Sequence, residues 1–171
     1  MAIKKILTYP DPLLRQKVET VTRFDDSLRE LADDLIETMY AAPGVGLAAN
    51  QVGECLRLVV IDTAAGKEEK KPLVLVNPEI LAKEGCRIEE EGCLSVVGLT
   101  ANVERCNKIL VRAQDLEGNT LEFAAEEFFA RVIQHELDHL NGTLFIDHLS
   151  PLKRSLYKRR LKKTLLQQDK G

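Results

Sequence analysis

The sequence is poor in the features that mark exported, membrane-spanning or repetitive proteins. No apolar stretch approaches the ~20 residues that cross a bilayer. The opening segment "MAIKKILTYPDP" offers only Ile-Leu after its lysines before polar Thr8 and Pro10, too little for the apolar core of a signal peptide. The expectation is a cytoplasmic protein with no membrane partner. Cysteine is sparse and scattered: Cys55, Cys86, Cys93 and Cys106 include no CxxC pair. In a reducing compartment a special cysteine is then a ligand or nucleophile rather than half of a structural disulfide. There is no internal repeat and no low-complexity tract. Histidine is also scarce, with three in 171 residues, and two of them stand four positions apart in "IQHELDHLNG" (133–142).

What is present suits a folded enzyme-sized domain. A hydrophobic content of 44% supplies a sizeable core, and a net charge of −3 with 30% charged residues gives no sign of disorder. The spacing of Leu28, Leu31, Leu35 and Met39 predicts a helix from about Asp26 to Pro43, with Ser27 and Glu30 as a capping box. Apolar runs at 56–62, 72–78 and 108–115 read as strands, the last pairing with 120–125 across "LEGN" as a hairpin. A second helix is expected from about Glu126 to Asn141 and a third from Ser150-Pro151. The pattern is α+β: short antiparallel strands packed around a central helix, with N- and C-terminal helices, in one domain over 1–171.

On that central helix His135 and His139 project from one face, one turn apart, and Glu136 lies beside them. Two imidazoles so placed can share a metal ion, with the carboxylate near enough to act on water. The surrounding apolar residues argue against a solvated helix with polar residues at accidental spacing. A third ligand is less legible. "HELDHLNGTLF" follows H-E-x-x-H-x-x-G-x-x-H as far as Gly142, but Phe145 stands where the third histidine belongs, and no glutamate follows Glu136. Asp147, His148 and, upstream, Cys93 remain as candidates; Cys93 is equally readable as a small buried hydrophobe. A different metallopeptidase, or a non-catalytic ribosome- or RNA-binding protein, are the competing classes.

Three segments together, "GVGLAANQ" (44–51), "EGCLS" (91–95) and "QHELDHLNG" (134–142), resemble peptide deformylases in order and separation, and the similarity extends from "ILTYPDPLLR" to "LFIDHLSPLK". The resemblance implies a divalent metal, Fe²⁺ by expectation, with Ni²⁺, Co²⁺ or Zn²⁺ able to replace it, held by Cys93, His135 and His139. It implies Glu136 as general base, and Gln51 with the backbone N–H of Leu94 as donors to the oxygen that gains charge. Gly44, Val45, Gly46, Gly92 and Val132 are expected to contact the substrate, the glycines by allowing close backbone approach. The implied substrate is the N-formylmethionyl end of a nascent peptide, and the implied product is formate. Two positions depart from the bacterial pattern: Val97 stands at a proline position and Thr100 at an arginine position, which puts the peptide path beyond methionine in question.

Charge is also unevenly placed. From Ser150 onward there are eight Lys/Arg and one acid, Asp169, so an acidic body carries a basic tail. Leu152 and Leu156 fall roughly opposite Tyr157, Leu161 and Leu165. The expectation is that the first turns pack on the body while the rest meets ribosomal RNA, with no role for DNA. Truncation after Leu156 is expected to weaken ribosome association only.

Overall fold

The computed structural model describes residues 2–64 and 70–170. A five-stranded antiparallel sheet forms its centre in the order β1-β2-β3-β6-β7, where β1 is Gly46–Ala48, β2 Leu58–Ile61, β3 Leu73–Glu84, β6 Lys108–Gln114 and β7 Thr120–Glu126. Helix α1 (Asp26–Ala41) and helix α2 (Glu127–Leu140) lie on its two faces. Strand period decides which side chain meets which helix. Leu58 and Val60 join Leu28, Leu31, Leu35 and Met39 of α1 in one cluster. Their neighbours Val59 and Ile61 join Ile133, Leu137 and Leu140 of α2 in another. Strand β2 is buried along its whole length, which explains why "LVVI" reads as an unbroken apolar run rather than an alternation.

A separate two-stranded ribbon, β4 (Arg87–Cys93) and β5 (Val96–Arg105), carries the cysteine segment. Its hairpin was not evident from sequence. The pattern is inverted: Ile88 faces solvent while Glu91 and Arg105 face inward. Helix α3 (Pro151–Lys170) seats on this ribbon. Tyr157 is buried and donates its hydroxyl to the Val97 carbonyl at 3.0 Å, and Arg160 reaches the Gly98 carbonyl at 3.2 Å. Leu161 is half-buried, whereas Leu152 and Leu156 are exposed. The apolar split expected along the tail therefore exists, with the Tyr157 side inward; the side chain of Leu165 lies outside the described residues.

Strand and helix boundaries agree with expectation to a few residues, with β3 running on to Glu84. Helix α1 starts at Asp26 as expected, but its cap is not Ser27. Its cap is Asp25, whose Oδ1 accepts from the Leu28 N–H at 3.2 Å, and Ser27 lies inside the first turn. An aspartate at that position satisfies an orphan N–H and meets the helix dipole favourably, so it outcompetes the serine two residues later. Asp25→Ala should lower stability by about 1 kcal/mol in urea unfolding, and Ser27→Ala by much less. Equal losses would return the cap to Ser27.

Candidate metal centre

The central helix and the ribbon bring three donors together. The ligating atoms of Cys93, His135 and His139 all lie within 4.8 Å of one another. Cys93 Sγ is 3.2 Å from His139 Nε2, which is 3.3 Å from His135 Nε2. His135 and His139 meet because they are one turn apart on α2. Cys93 reaches them from the last position of β4, where it is half-buried. The other two candidates are engaged elsewhere. Asp147 takes both guanidinium arms of Arg15, at 2.8 and 2.9 Å, and His148 Nε2 lies 2.9 Å from Asp138.

The orientation of His135 is set from behind. Its Nδ1 lies 3.0 Å from Glu91 Oε1, so the carboxylate accepts the Nδ1 proton and leaves Nε2 turned toward Cys93 and His139. Glu91 is itself clasped. Arg105 donates Nη2 to Oε1 and Nε to Oε2, both at 3.0 Å, and Arg131 donates Nη1 to Oε2 at 2.5 Å. Burial alone would push the Glu91 carboxyl up, but the hydrogen bonds from His135 and Arg105, with the charge of Arg105, hold it at about 2. Neither Glu91 nor its two arginines was read from sequence. Two local signals point to them: Glu91 shares a strand face with Cys93, two residues on, and Arg131 lies one helical turn before His135.

Electrostatics separate the two imidazoles. Burial disfavours charge on His135, yet hydrogen bonds with Cys93 and Glu91 and the charge of Glu136 push it up to about 10. Burial and the nearby charges of His135 and Arg105 hold His139 well below the ordinary range, neutral. A proton on His135 thus stands where a cation would give the same compensation. A thiolate and two imidazoles with one face open fit a divalent transition metal, and the donor softness does not select among Fe, Co, Ni and Zn.

Glu136 is buried beside the ligands, and its Oε2 has no hydrogen-bond partner among the described residues. Burial, with the attraction of His135 set against the repulsion of Glu91, leaves its pKa at about 7. A carboxylate so poised can take and return a proton near neutrality. Gly46 makes room for it: a Cβ there would meet Glu136 Cγ and Oε1 at 3.0 Å and Val132 Cγ1 at 3.1 Å. The missing side chain therefore accommodates the carboxylate, in addition to any approach by a ligand. At Gly44 a Cβ would meet Leu94 Cδ1 at 2.8 Å.

The Gln51 amide is held at both ends. Its Oε1 accepts from the Ala48 N–H at 2.9 Å, which turns Nε2 toward Ser95 Oγ at 2.9 Å and Cys93 Sγ at 4.0 Å. Ser95, fully buried, was not singled out in the sequence. Gly44, Val45, Gly46, Gln51, Gly92, Leu94 and Val132 all border one cleft of about 580 Å³ with Cys93, His135 and Glu136. Phe128, Leu99 and Thr100 border it too, so one of the two departing positions lies at the cleft. The other, Val97, is not among its lining residues and meets α3 instead.

A cysteine, two histidines and a buried carboxylate at the wall of an open cleft are the groups that a hydrolase using a metal-bound water requires. The family model for polypeptide deformylase matches residues 3–155. The peptide deformylase of Desulfotalea psychrophila is 54% identical over 167 residues, covering 97% of this chain and 99% of its own, and that of Alkalilimnicola ehrlichii is 52% identical, covering 98% and 93%. Among solved structures, the Legionella pneumophila peptide deformylase superposes with a TM-score of 0.90 at 48% identity, covering 99% of both chains. The Ehrlichia chaffeensis peptide deformylase in complex with actinonin gives 0.89 at 38% identity, covering 96% and 98%. The chain belongs to the peptide deformylase family.

Because Glu91 compensates two buried guanidinium groups, Glu91→Gln should destabilise the fold by roughly 3–5 kcal/mol. The pH dependence has a definite sign. A carboxyl lowered to about 2 from an ordinary 4.5 adds stability that is complete above 4.5 and lost as pH falls toward 2. Urea unfolding should show that acid loss in the wild type and a shallower one in Glu91→Gln. Identical acid profiles would remove Glu91 as its source.

Proposed function

We propose that this protein, a single catalytic domain over 1–171 acting in the cytoplasm, removes the formyl group from N-formylmethionine at the start of newly made proteins and releases formate. The observation that carries the reading is the juxtaposition of Cys93, His135 and His139, donors within 4.8 Å, with buried Glu136 and the fixed Gln51 amide in one cleft. Cys93, His135 and His139 would hold one divalent ion, Fe²⁺ by family expectation, with Ni²⁺, Co²⁺ or Zn²⁺ as substitutes. Such an ion lowers the pKa of a water and polarises the formyl oxygen.

The chain's own groups account for the proton and charge movements. Glu136 takes a proton from the attacking water as its oxygen bonds to the formyl carbon. Negative charge then builds on the formyl oxygen, where the second N–H of the Gln51 amide and the Leu94 backbone N–H stabilise it; such a donor contributes ~2.7–4 kcal/mol. Glu136 returns the proton to the departing nitrogen as the C–N bond breaks, leaving a free methionine amine and formate. Val45 and Val132 supply apolar wall for the methionine side chain, while Gly44, Gly46 and Gly92 admit the peptide backbone. Formate release from formyl-Met-Ala-Ser, with metal content measured under anaerobic conditions, tests this. Glu136→Gln should keep its metal and lose ~10²–10⁴-fold in turnover, whereas Cys93→Ala should lose the metal. An active, metal-replete Glu136→Gln would overturn the role of Glu136, and full metal affinity in Cys93→Ala would overturn the ligand set.

The ribosome is the proposed partner of α3, on the strength of the exposed Lys158, Arg159, Lys162 and Lys163. Truncation after Leu156 is a poor test, because it also removes the buried Tyr157. Replacing those four side chains by glutamate leaves Tyr157 and Arg160 seated. This variant should lose salt-sensitive ribosome binding in co-sedimentation while turning over formyl-Met-Ala-Ser at the wild-type rate. Unchanged co-sedimentation would exclude α3 as the docking element.

A further inference from the structure

The β3–β6 and β4–β5 ladders are separated by two residues on each strand. Glu84 pairs with Lys108 at the end of β3–β6, and Arg87 pairs with Arg105 at the start of β4–β5. Gly85-Cys86 runs through the gap on one strand and Cys106-Asn107 on the other. The Asn107 N–H bonds to the Glu84 carbonyl at 3.1 Å, and a Cβ on Gly85 would lie 3.3 Å from that of Asn107. Gly85 therefore faces Asn107, which leaves Cys86 facing Cys106. Facing residues of antiparallel strands carry their Cβ atoms ~4.5–5.5 Å apart on the same side. A small adjustment brings such a pair to the ~3.5–4.5 Å of a disulfide.

Both thiols border a second cleft, of about 660 Å³, which shares no lining residue with the cleft at the candidate metal centre. Cys86 is exposed and Cys106 half-buried, so an oxidant in solution meets Cys86 first. Glu104 hydrogen-bonds the Cys86 thiol and raises its pKa, which keeps Cys86 protonated at rest. Cys106 is also tied to the central helix: its N–H donates to Gln134 Oε1 at 2.9 Å and its carbonyl accepts from Gln134 Nε2 at 2.8 Å.

We infer that Cys86 and Cys106 form a cross-strand dithiol that a hydroperoxide closes to a disulfide. The Cys86 sulfur attacks a peroxide oxygen, the O–O bond breaks, and one water leaves as Cys86 becomes a sulfenic acid. The Cys106 sulfur then displaces the hydroxyl, which departs with the Cys106 proton as a second water. Two S–H bonds are lost, one S–S bond forms, and hydrogen peroxide is reduced to two waters. The bond closes the junction between the two ladders, one residue from Arg105 and at the residue whose main chain Gln134 holds.

The sequence supplies its own assay. Trypsin cuts after Lys83, Arg87, Arg105 and Lys108, so Cys86 leaves in "EGCR" and Cys106 in "CNK", apart from Cys93 and Cys55. Metal-loaded protein treated with hydrogen peroxide at about pH 8.5, where thiolates are available, is alkylated with iodoacetamide and digested without reductant. Mass spectrometry should find "EGCR" joined to "CNK", and dithiothreitol should return both as free thiols. In Cys86→Ser, "CNK" should remain alkylated at the same dose. Three results would overturn the inference: both peptides fully alkylated while Cys93 or Cys55 oxidises, Cys86 over-oxidised with Cys106 free, or Cys106 bonded elsewhere in Cys86→Ser.

Discussion

The carboxylate of Glu91 ties the ribbon to the central helix, which no backbone ladder joins to it. It receives Arg105 from β5 and both Arg131 and His135 from α2, and it does so inside the protein. Alone, any of these charges would be expensive to bury; together they compensate one another and fix a distance between strand and helix. That distance is what brings Cys93, two residues along the strand from Glu91, to the histidines. On the α2 side the metal donors are held by ordinary packing. On the ribbon side the ionic clasp is added to the apolar packing of Val96 and Val103.

The opposite wall is governed by space rather than charge. Glu136 is buried without a partner for one oxygen among the described residues, and the backbone of β1 passes within a side chain's width of it. The same β1 segment leads into the turn that delivers Gln51, whose amide is oriented by Ala48 and Ser95. A close approach of main chain to carboxylate and a two-ended anchor for the amide thus come from one stretch of eight residues, "GVGLAANQ".

Helical period alone gave His135, His139 and Glu136, because residues one turn apart must share a face. The core strands were legible because their apolar runs are uninterrupted. The β4–β5 ribbon was hidden because β4 turns the acid Glu91 inward and Ile88 outward, although β5 buries Val96 and Val103 beside Arg105. Cys93 was assigned by resemblance, as no spacing rule links a strand-end cysteine to a helix some forty residues later. Arg105 had no local signal at all. Its partner is chosen by the register of the ribbon and by the docking of α2, both of which are properties of the assembled fold. The cap of α1 failed for a smaller reason: two acceptors compete at adjacent turns, and the sequence pattern does not rank them.

The seat of α3 rests on main-chain oxygens. Tyr157 and Arg160 hold the carbonyls of Val97 and Gly98, groups that every amino acid carries in the same place. The contact is therefore blind to which side chains the ribbon displays there. Valine in place of proline at position 97 leaves the acceptor intact, so the tip of the ribbon is free to drift in sequence while the helix stays docked. At these two bonds the specificity falls on the helix, where a phenol and a guanidinium must sit one turn apart, while the Tyr157 ring packs with Val96 and Val103 of the ribbon.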